Sequence, residues 1–454
     1  MVKIMELKKY KANNYKRKSY VILVIGFLLL SVSSYLFYKS YALYEEKKNF
    51  DVINGTVEDP GDIYFAYYID GVISRNMPLQ NTGYTLDETK SNCNNGVVPT
   101  WDNAGWKFIG DYHNYSATTN TRTKCTLYFN KTAKTVKTAL GNIEVNTYNP
   151  DFTKSACDDS TCESHEKGIF ETTDNDGKPT YYYRGSVENN YVKFAGYYWR
   201  IIRINSNGSI RMIYDGTVAH KNGEASEDRR YGISQFNPDY DNNMYVGYMY
   251  TSGEAHGTGT SSTIKTNADK FYTDKLIGYA SKLDTNVGFC SDRSSLSNKS
   301  NSGIGQTITY YKAYVRVEES NPTLLCENES DYYTTTFSSL GNKVLIYPVG
   351  LISIDEVMFA GYAGGIVNGS YNNAKQNING YLVSGQESWT MTPVGYYFAY
   401  FQDFYSKTFS FQNEFMMLDD TGTGVYLSYR PVINIRSDAK ITGTGTMTDP
   451  YVIK

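Results

Sequence analysis

Residues Phe194–Gly216 read FAGYYWRIIRINSNGSIRMIYDG. Two runs of aromatic and β-branched residues flank Asn205–Ser209, with Asn207-Gly208 at the turn. Asn-Gly tolerates positive φ at both positions, which a twisted hairpin turn needs. Tyr197–Ile204 and Ile210–Tyr214 are therefore expected to pair as antiparallel strands. Strict alternation puts Tyr198, Arg200, Ile202 and Ile204 on one face and Tyr197, Trp199, Ile201 and Arg203 on the other. Both faces are largely apolar, so the ribbon is expected inside one mixed or antiparallel sheet with covers on both sides. Burying each such side chain contributes roughly 1.5–3 kcal/mol, which favours covering both.

The available covers are few. Thr263–Leu283 has an apolar stripe of Ile264, Ala268, Phe271, Leu276, Tyr279 and Leu283, which predicts a helix. Ser353 and Glu356 fit a capping box that opens a second helix running through Tyr362, and Gly364-Gly365 would end it. Arg430–Ile435 is expected to join the sheet, and Arg430 to pair with a carboxylate. Leu345–Leu351, LIYPVGL, reads as a further strand, as do Gly168–Thr172 and Thr180–Arg184 around the turn at Asp174–Lys178.

A chain of 454 residues needs more than one domain. Its 45 tyrosines, with frequent Val, Ile, Thr, Asn and Gly, predict a β-rich protein with polar loops. Ser19–Tyr38 contains no charge, and twenty helical residues span about 30 Å, the hydrocarbon thickness of a bilayer. Residues 1–18 hold seven Lys/Arg against Glu6, a net +6, which leaves −9 on the rest of a chain whose net charge is −3. Cations before the apolar run place the N-terminus in the cytoplasm and everything from Lys39 onward outside. A cleaved signal peptide is the alternative. A mildly acidic body argues against nucleic acid as a partner.

The fold class expected is thus a single N-terminal transmembrane helix plus a β-rich ectodomain, a small β-sandwich followed by an α+β domain. The divisions are a basic tail at 1–18, a signal-anchor at 19–38, a stalk at 39–55, a β-sandwich at 56–131, a linker at 132–165 and a large domain at 166–454. In the sandwich, Ile63–Ile69 turns at Asp70-Gly71 into Val72–Arg75, and strands recur near Trp106–Ile109 and Cys125–Phe129. The linker has room for a short helix at Lys134–Gly141.

Six cysteines in a chain placed outside the membrane favour disulfides, and six allow fifteen pairings. Domain boundaries narrow these to neighbours: Cys93–Cys125, Cys157–Cys162 and Cys290–Cys326. A metal at Cys157, Cys162 and His165 would lack an obvious fourth ligand. A reactive thiol at Cys290, beside Asp292 and Arg293, has no histidine near it in sequence.

Trp389, Tyr396, Tyr397, Tyr400 and Phe404 form an aromatic cluster that is the candidate ligand surface, since aromatic faces stack on sugars and anchor interfaces. Core packing is the competing account, above all for Trp389. Glu414, Asp419 and Asp420 are the candidate ligands of a Ca²⁺ cofactor, against a plain turn with solvated carboxylates. Gly253–Gly259 lacks the Lys-Ser/Thr of a phosphate loop, and no Ser-His-Asp pattern stands out.

Several segments together carry a resemblance: YYYRGSVENNYVKFAGYYWRIIRINSNGSIRMIYDG (181–216), GFCSDRS (288–294), YPVGLISIDEVMFAG (347–361), ESWTMTPVG (387–395) and YRPVINIRSDAKITGTGTMTDPYVIK (429–454). With the anchor and the TWDNAGWKF and TRTKCTLYF segments, the chain resembles a group of membrane-anchored surface proteins of Gram-positive bacteria, gut Firmicutes above all. The resemblance covers most of the chain and implies a location more than an activity. The order of helix, WTMTP segment and terminal RPV strand is also similar to C-type-lectin-like folds, closest to the formylglycine-generating-enzyme-like branch. That branch uses a cysteine pair near its C-terminus, and no cysteine follows Cys326 here, which argues against its oxidase chemistry. The function expected is extracellular binding or adhesion toward a glycan or protein ligand. The alternatives are a carboxylate-based glycan or wall hydrolase, or a structural envelope or pilus-associated component.

Overall fold

The computed structural model describes residues 64–454 apart from 81, 95, 97–99, 103–104, 110–123, 157–165, 298–301, 365, 368–369, 372–378, 399–403 and 412–417. The basic tail, the Ser19–Tyr38 segment and the stalk lie outside the described residues. Among those described, no helix is long and apolar enough to cross a membrane. The chain divides after Lys131 into two compact units.

The small unit contains β1 (Tyr64–Ile69), β2 (Val72–Ser74), β3 (Tyr84–Leu86), β4 (Asn92–Cys93), β5 (Thr100–Asp102), β6 (Lys107–Ile109) and β7 (Lys124–Lys131). Its main sheet is mixed. β7 runs parallel to β1 and antiparallel to β3 and β4, while β2 hangs on β1 as the expected hairpin. β5 and β6 form a separate ribbon rather than a full second sheet. Along β7, Cys125, Leu127 and Phe129 point inward. Trp101 of the ribbon meets Phe129 edge-on at 5.4 Å. The buried core among the described residues is Leu86, Cys93, Trp101, Cys125, Leu127 and Phe129. So small a core needs a staple, and the Cys93–Cys125 disulfide supplies one between directly opposed residues of β4 and β7.

The large unit begins inside the stretch read as a linker, with β8 (Lys134–Thr135) and α1 (Val136–Leu140). It continues through β9 (Gly168–Thr173), β10 (Pro179–Arg184), β11 (Tyr191–Phe194), β12 (Tyr197–Ile204), β13 (Ile210–Gly216) and β14 (Gly232–Ser234). Next come α2 (Thr263–Phe271), β15 (Phe289–Cys290), β16 (Thr309–Tyr310), α3 (Lys312–Glu318), β17 (Tyr332–Tyr333) and α4 (Ile354–Phe359). The last part carries β18 (Ser388–Phe398), β19 (Phe404–Phe411), β20 (Leu418–Gly422), β21 (Leu427–Tyr429), β22 (Val432–Ile435), β23 (Lys440–Thr442) and β24 (Tyr451–Ile453).

The hairpin of β12 and β13 is the centre of a nine-stranded mixed sheet in the order β22-β13-β12-β11-β24-β23-β8, with β10 on β12 and β9 on β10. β22 pairs with β13, as the sequence predicts for Arg430–Ile435, and β24 runs parallel to β11. The turn differs in one respect from expectation. Gly208 alone in the loop has positive φ (79°), and the Asn207 side chain instead accepts the Ser209 N–H at 3.0 Å.

Two bulges overturn the strict alternation. Arg200 stands opposite Ile213 and Ile201 opposite Met212, but Arg203 stands opposite Arg211. Ile202 is thus an extra residue, and it brings Arg203 onto the face of Arg200 and Arg211. Asp215 is the extra residue of the second bulge, between the Trp199–Tyr214 and Tyr198–Gly216 pairs. One face of the hairpin is therefore apolar: Trp199 is fully buried, with Phe271 at 6.0 Å and Tyr214 at 5.9 Å. The other face carries the charges.

Both expected helices form. α2 is capped by Ser262, whose hydroxyl accepts the Lys265 N–H, and then runs into a π turn at Tyr272–Leu276 and a 3-10 turn at Ile277–Lys282. α4 has the full Ser353–Glu356 capping box. Leu345–Leu351 is not a strand. It makes only isolated bridges, Thr335–Leu345 and Gly350–Val432. Pro348 has no N–H to give a ladder. A second sheet, β14-β21-β18-β19-β20 with β16 on β18, completes the unit.

Candidate functional site

The expected aromatic cluster separates into a core part and a surface part. Trp389 is 1% exposed, donates its indole N–H to the Ser234 carbonyl at 2.8 Å and packs edge-on against Phe236. Tyr396 is 3% exposed and its hydroxyl donates to the Asp241 carbonyl. Both are corrected from ligand candidates to core residues. Phe404 opens β19 opposite Phe398. Tyr400 lies outside the described residues.

Among the members whose burial is described, Tyr397 is half-buried, and it has partners that the sequence did not suggest. β16 pairs with β18 so that Tyr310 faces Gly395. A Cβ at Gly395 would lie 2.4 Å from the Thr309 carbonyl oxygen and 3.0 Å from the Tyr397 ring. Glycine thus lets the Tyr397 ring lie flat across the strand onto Tyr310, with centroids 4.7 Å apart and planes 13° from parallel. Tyr314 of α3 adds a third ring 5.4 Å from Tyr310, and Lys407 Nζ sits 4.8 Å from the centroid of Tyr397. Three half-buried phenol rings and one ammonium make a platform able to stack on the apolar face of a sugar or on another aromatic group.

A second concentration of chemistry lies on the charged face of the hairpin. A cavity of about 20 Å³ is walled by Arg203, Arg211, Arg316, Asp174, Asp292, Asp355 and Glu356, with Thr323, Leu324 and Leu325 along one side. That is room for one water. Glu356 Oε1 lies 2.6 Å from Arg211 Nε and 3.1 Å from Arg203 Nε, while its Oε2 closes the capping box on the Ser353 N–H. Arg203 Nη1 is 3.1 Å from Asp174. Arg316 is held by both oxygens of Asp355, at 2.9 and 3.0 Å, and by Asp292 at 3.1 Å. Burial pushes the Asp174 carboxyl up, but Arg203 and the N–H groups of Asn175 and Ser206 outweigh it and hold the group below its ordinary value. Burial works against the Arg316 cation, and Asp355 and Asp292 more than restore it.

Further along the same ribbon, Asp215 Oδ1 accepts from Arg229 at 2.8 Å and from Arg430 at 2.7 Å. Arg430 thus has its expected carboxylate. Arg200 Nη1 approaches Asp215 Oδ2 to only 3.9 Å, and neither atom makes a hydrogen bond. Main-chain carbonyls take further N–H groups, those of Tyr381 and Val383 from Arg229 and those of Tyr214 and Leu382 from Arg430, while Arg200 donates to the Val187 carbonyl and to the Asn190 and Asn222 side chains. Burial and the neighbouring Arg229 pull Arg430 down to about 10 against the opposing pull of Asp215.

Two histidines are also built in. His220 places its ring nitrogens 2.9 Å from Glu224 and 2.9 Å from Asp228. His256 Nδ1 is 2.8 Å from Asp331, which also holds Arg293. The partners of His220 lie four and eight residues after it, whereas Asp331 is 75 residues from His256 and no local pattern marks that pair. Among the described residues no group of three His, Cys, Asp or Glu is placed to hold a metal ion. Asp419 and Asp420 stand within β20, opposite Ser410 and Phe409, rather than in a turn, and Glu414 lies outside the described residues. The Cys290–Cys326 disulfide forms as expected and removes the thiol considered at Cys290. Cys157, Cys162 and His165 lie outside the described residues.

The chain matches no family model, no curated protein and no solved structure.

Proposed function

We propose that this chain is a membrane-anchored binding or adhesion protein of a bacterial surface, and that it takes a glycan or a protein ligand on the Tyr310–Tyr314–Tyr397 platform. The observation that carries the reading is the flat pairing of Tyr310 with Tyr397, held at the surface beside Lys407. Stacked, half-buried rings offer contact area at low entropic cost. Placement outside the membrane is supported by the disulfides, one in each unit among the described residues, since such bonds persist in oxidising compartments. The C-type-lectin-like reading draws its support from the order of α4, the WTMTP strand β18 and the RPV segment leading into β22.

A hydrolase is the weaker alternative. A glycosidase needs two carboxyl groups free to act as acid and as base or nucleophile. Around the charged cavity Asp174, Asp292, Asp355 and Glu356 are each tied to an arginine.

The test is a glycan array probed with the full chain in nanodiscs, alongside Tyr310→Ala and Tyr397→Ala. A ligand whose binding drops about two- to tenfold in both variants is expected, the scale of one lost aromatic contact. Equal binding by parent and variants would remove the platform from the account.

A further inference from the structure

We propose that the Cys290–Cys326 disulfide is a redox latch, and that it holds a strap, residues 322–327, closed over the charged cavity. The strap has an unusual set of attachments. Among the described residues, 322–327 make no backbone-to-backbone hydrogen bond. The Thr323 N–H is held by the Asp355 carboxylate at 3.1 Å, and the Cys326 N–H by the Asn175 side chain at 2.7 Å. Glu327 pairs with Lys312. Leu324 packs with Phe170, Tyr182 and Phe359. The covalent link to β15 is the remaining attachment.

The strap is one of the sides of the cavity built from loop, as are those at Asp174, Gly288 and Asp292. Thr323, Leu324 and Leu325 line it, and so does Cys290. The opposite walls come from β12, β13, α3 and α4, which are fixed by ladders and buried ion pairs. Moving the strap leaves those walls in place and turns a one-water void into a cleft lined by Arg203, Arg316, Asp292 and Asp355. Asp355 keeps its two bonds to Arg316 when it loses Thr323, so opening strands no buried charge. Both cysteines are half-buried, so a reductant reaches them without prior unfolding.

The reductant is a dithiol, either a small molecule or a protein with a paired-thiol site. Its thiolate attacks one sulfur of the latch and forms a mixed disulfide. Its second thiol then displaces the protein sulfur. Two electrons and two protons pass to Cys290 and Cys326, which leave as thiols, and the dithiol leaves as a disulfide.

Hydrogen exchange by mass spectrometry on the full chain tests this, with and without dithiothreitol, and on the double variant Cys290→Ser/Cys326→Ser without reductant. The strap amides, Thr323 and Cys326 above all, should exchange about a hundredfold faster in both cases, the factor matching a cross-link of ordinary strength. The β12–β13 amides should not change. Cys93→Ser/Cys125→Ser, left unreduced, should keep the slow strap, which assigns the effect to the latch. Unchanged strap exchange on reduction would overturn the proposal. So would a rise that spreads equally to β12 and β13, because the bond would then staple the whole unit.

Discussion

The two buried arginine groups on the hairpin solve the same problem in opposite ways. Around Glu356 and Asp174, cations and carboxylates are nearly matched, and each guanidinium finds a side-chain anion. Around Asp215 three guanidiniums share one carboxylate, and main-chain carbonyls together with the Asn190 and Asn222 side chains take most of the other N–H groups. The first group neutralises charge, sits beside a cavity and borders a strap. The second fastens Tyr381–Val383 to the sheet, and it depends on a single anion. A buried ion pair is weak evidence of net stability, yet breaking one by removing a partner is costly. The cost should therefore depend on how many alternatives the stranded cations have.

The largest expected effect follows at Asp215. Asp215→Ala leaves three buried cations with no carboxylate and should cost about 3–5 kcal/mol. Urea unfolding of the full chain, resolved by peptide hydrogen exchange in the large unit, measures it. A loss below about 1 kcal/mol would mean that the carbonyls suffice alone, and the contrast with Glu356 would disappear.

Glu356→Gln should cost less, about 1.5–3 kcal/mol, the range for hydrogen bonds to charged groups. Glutamine keeps one carbonyl oxygen for the arginines, loses the acceptor for the Ser353 N–H because its NH2 only donates, and leaves Asp174 facing Arg203. Equal losses at Glu356 and Asp215 in the same unfolding assay would refute the idea that matching spreads the load.

The third effect is a pH dependence. The Asp174 carboxyl is held below its ordinary value in the folded state. Its contribution is therefore fully present above the unfolded value, about 3.9, and is lost as pH falls through the folded one. The stability difference between the parent and Asp174→Asn should be constant from pH 7 to 5 and shrink below about pH 4. A difference that already shrinks at pH 6 would mean that the Arg203 pairing does not govern this carboxyl.

The smallest effect is expected at Asp438→Asn. The Arg436–Asp438 pair spans 2.7 Å, but its side chains are 51% and 64% exposed. Solvent and salt screen such a pair, so the urea midpoint should not move. A clear shift there would show that surface charge rather than burial sets these energies.

Much of the frame was legible in the sequence. The Asn-Gly signal and the β-branched runs gave the central hairpin, the Ser353–Glu356 spacing gave the cap of α4, and neighbouring cysteines gave two disulfides. These are local signals, set within a few residues or by chain proximity. The face of Arg203 was not legible, because it depends on a bulge at Ile202, and a one-residue slip flips every later side chain. Glu356 read only as a cap. Its second role, as counter-ion to Arg203 and Arg211, needs two strands far away in sequence. The ligand candidates Trp389 and Tyr396 were misplaced for a similar reason. An aromatic run does not say which rings have a backbone carbonyl waiting inside. Tyr310 was invisible as the partner of Tyr397, since their contact depends on Gly395 lying opposite Tyr310.

The order of the nine-stranded sheet has a consequence for biosynthesis. β8 at Lys134–Thr135 pairs with β23 at Lys440–Thr442, and β11 pairs with β24 at Tyr451–Ile453. Ribosomes extend chains at roughly 5–20 residues per second, so the roughly 300 residues between β8 and β23 take on the order of 15–60 s to make. For that interval β8 waits as a bare sheet edge, and β11 waits nearly as long for β24. Folding dominated by such distant pairings is slow even once the chain is complete. A nascent chain of this design would need an escort through that interval, and the holdase that meets it should find the β11–β13 region as its first sticky surface.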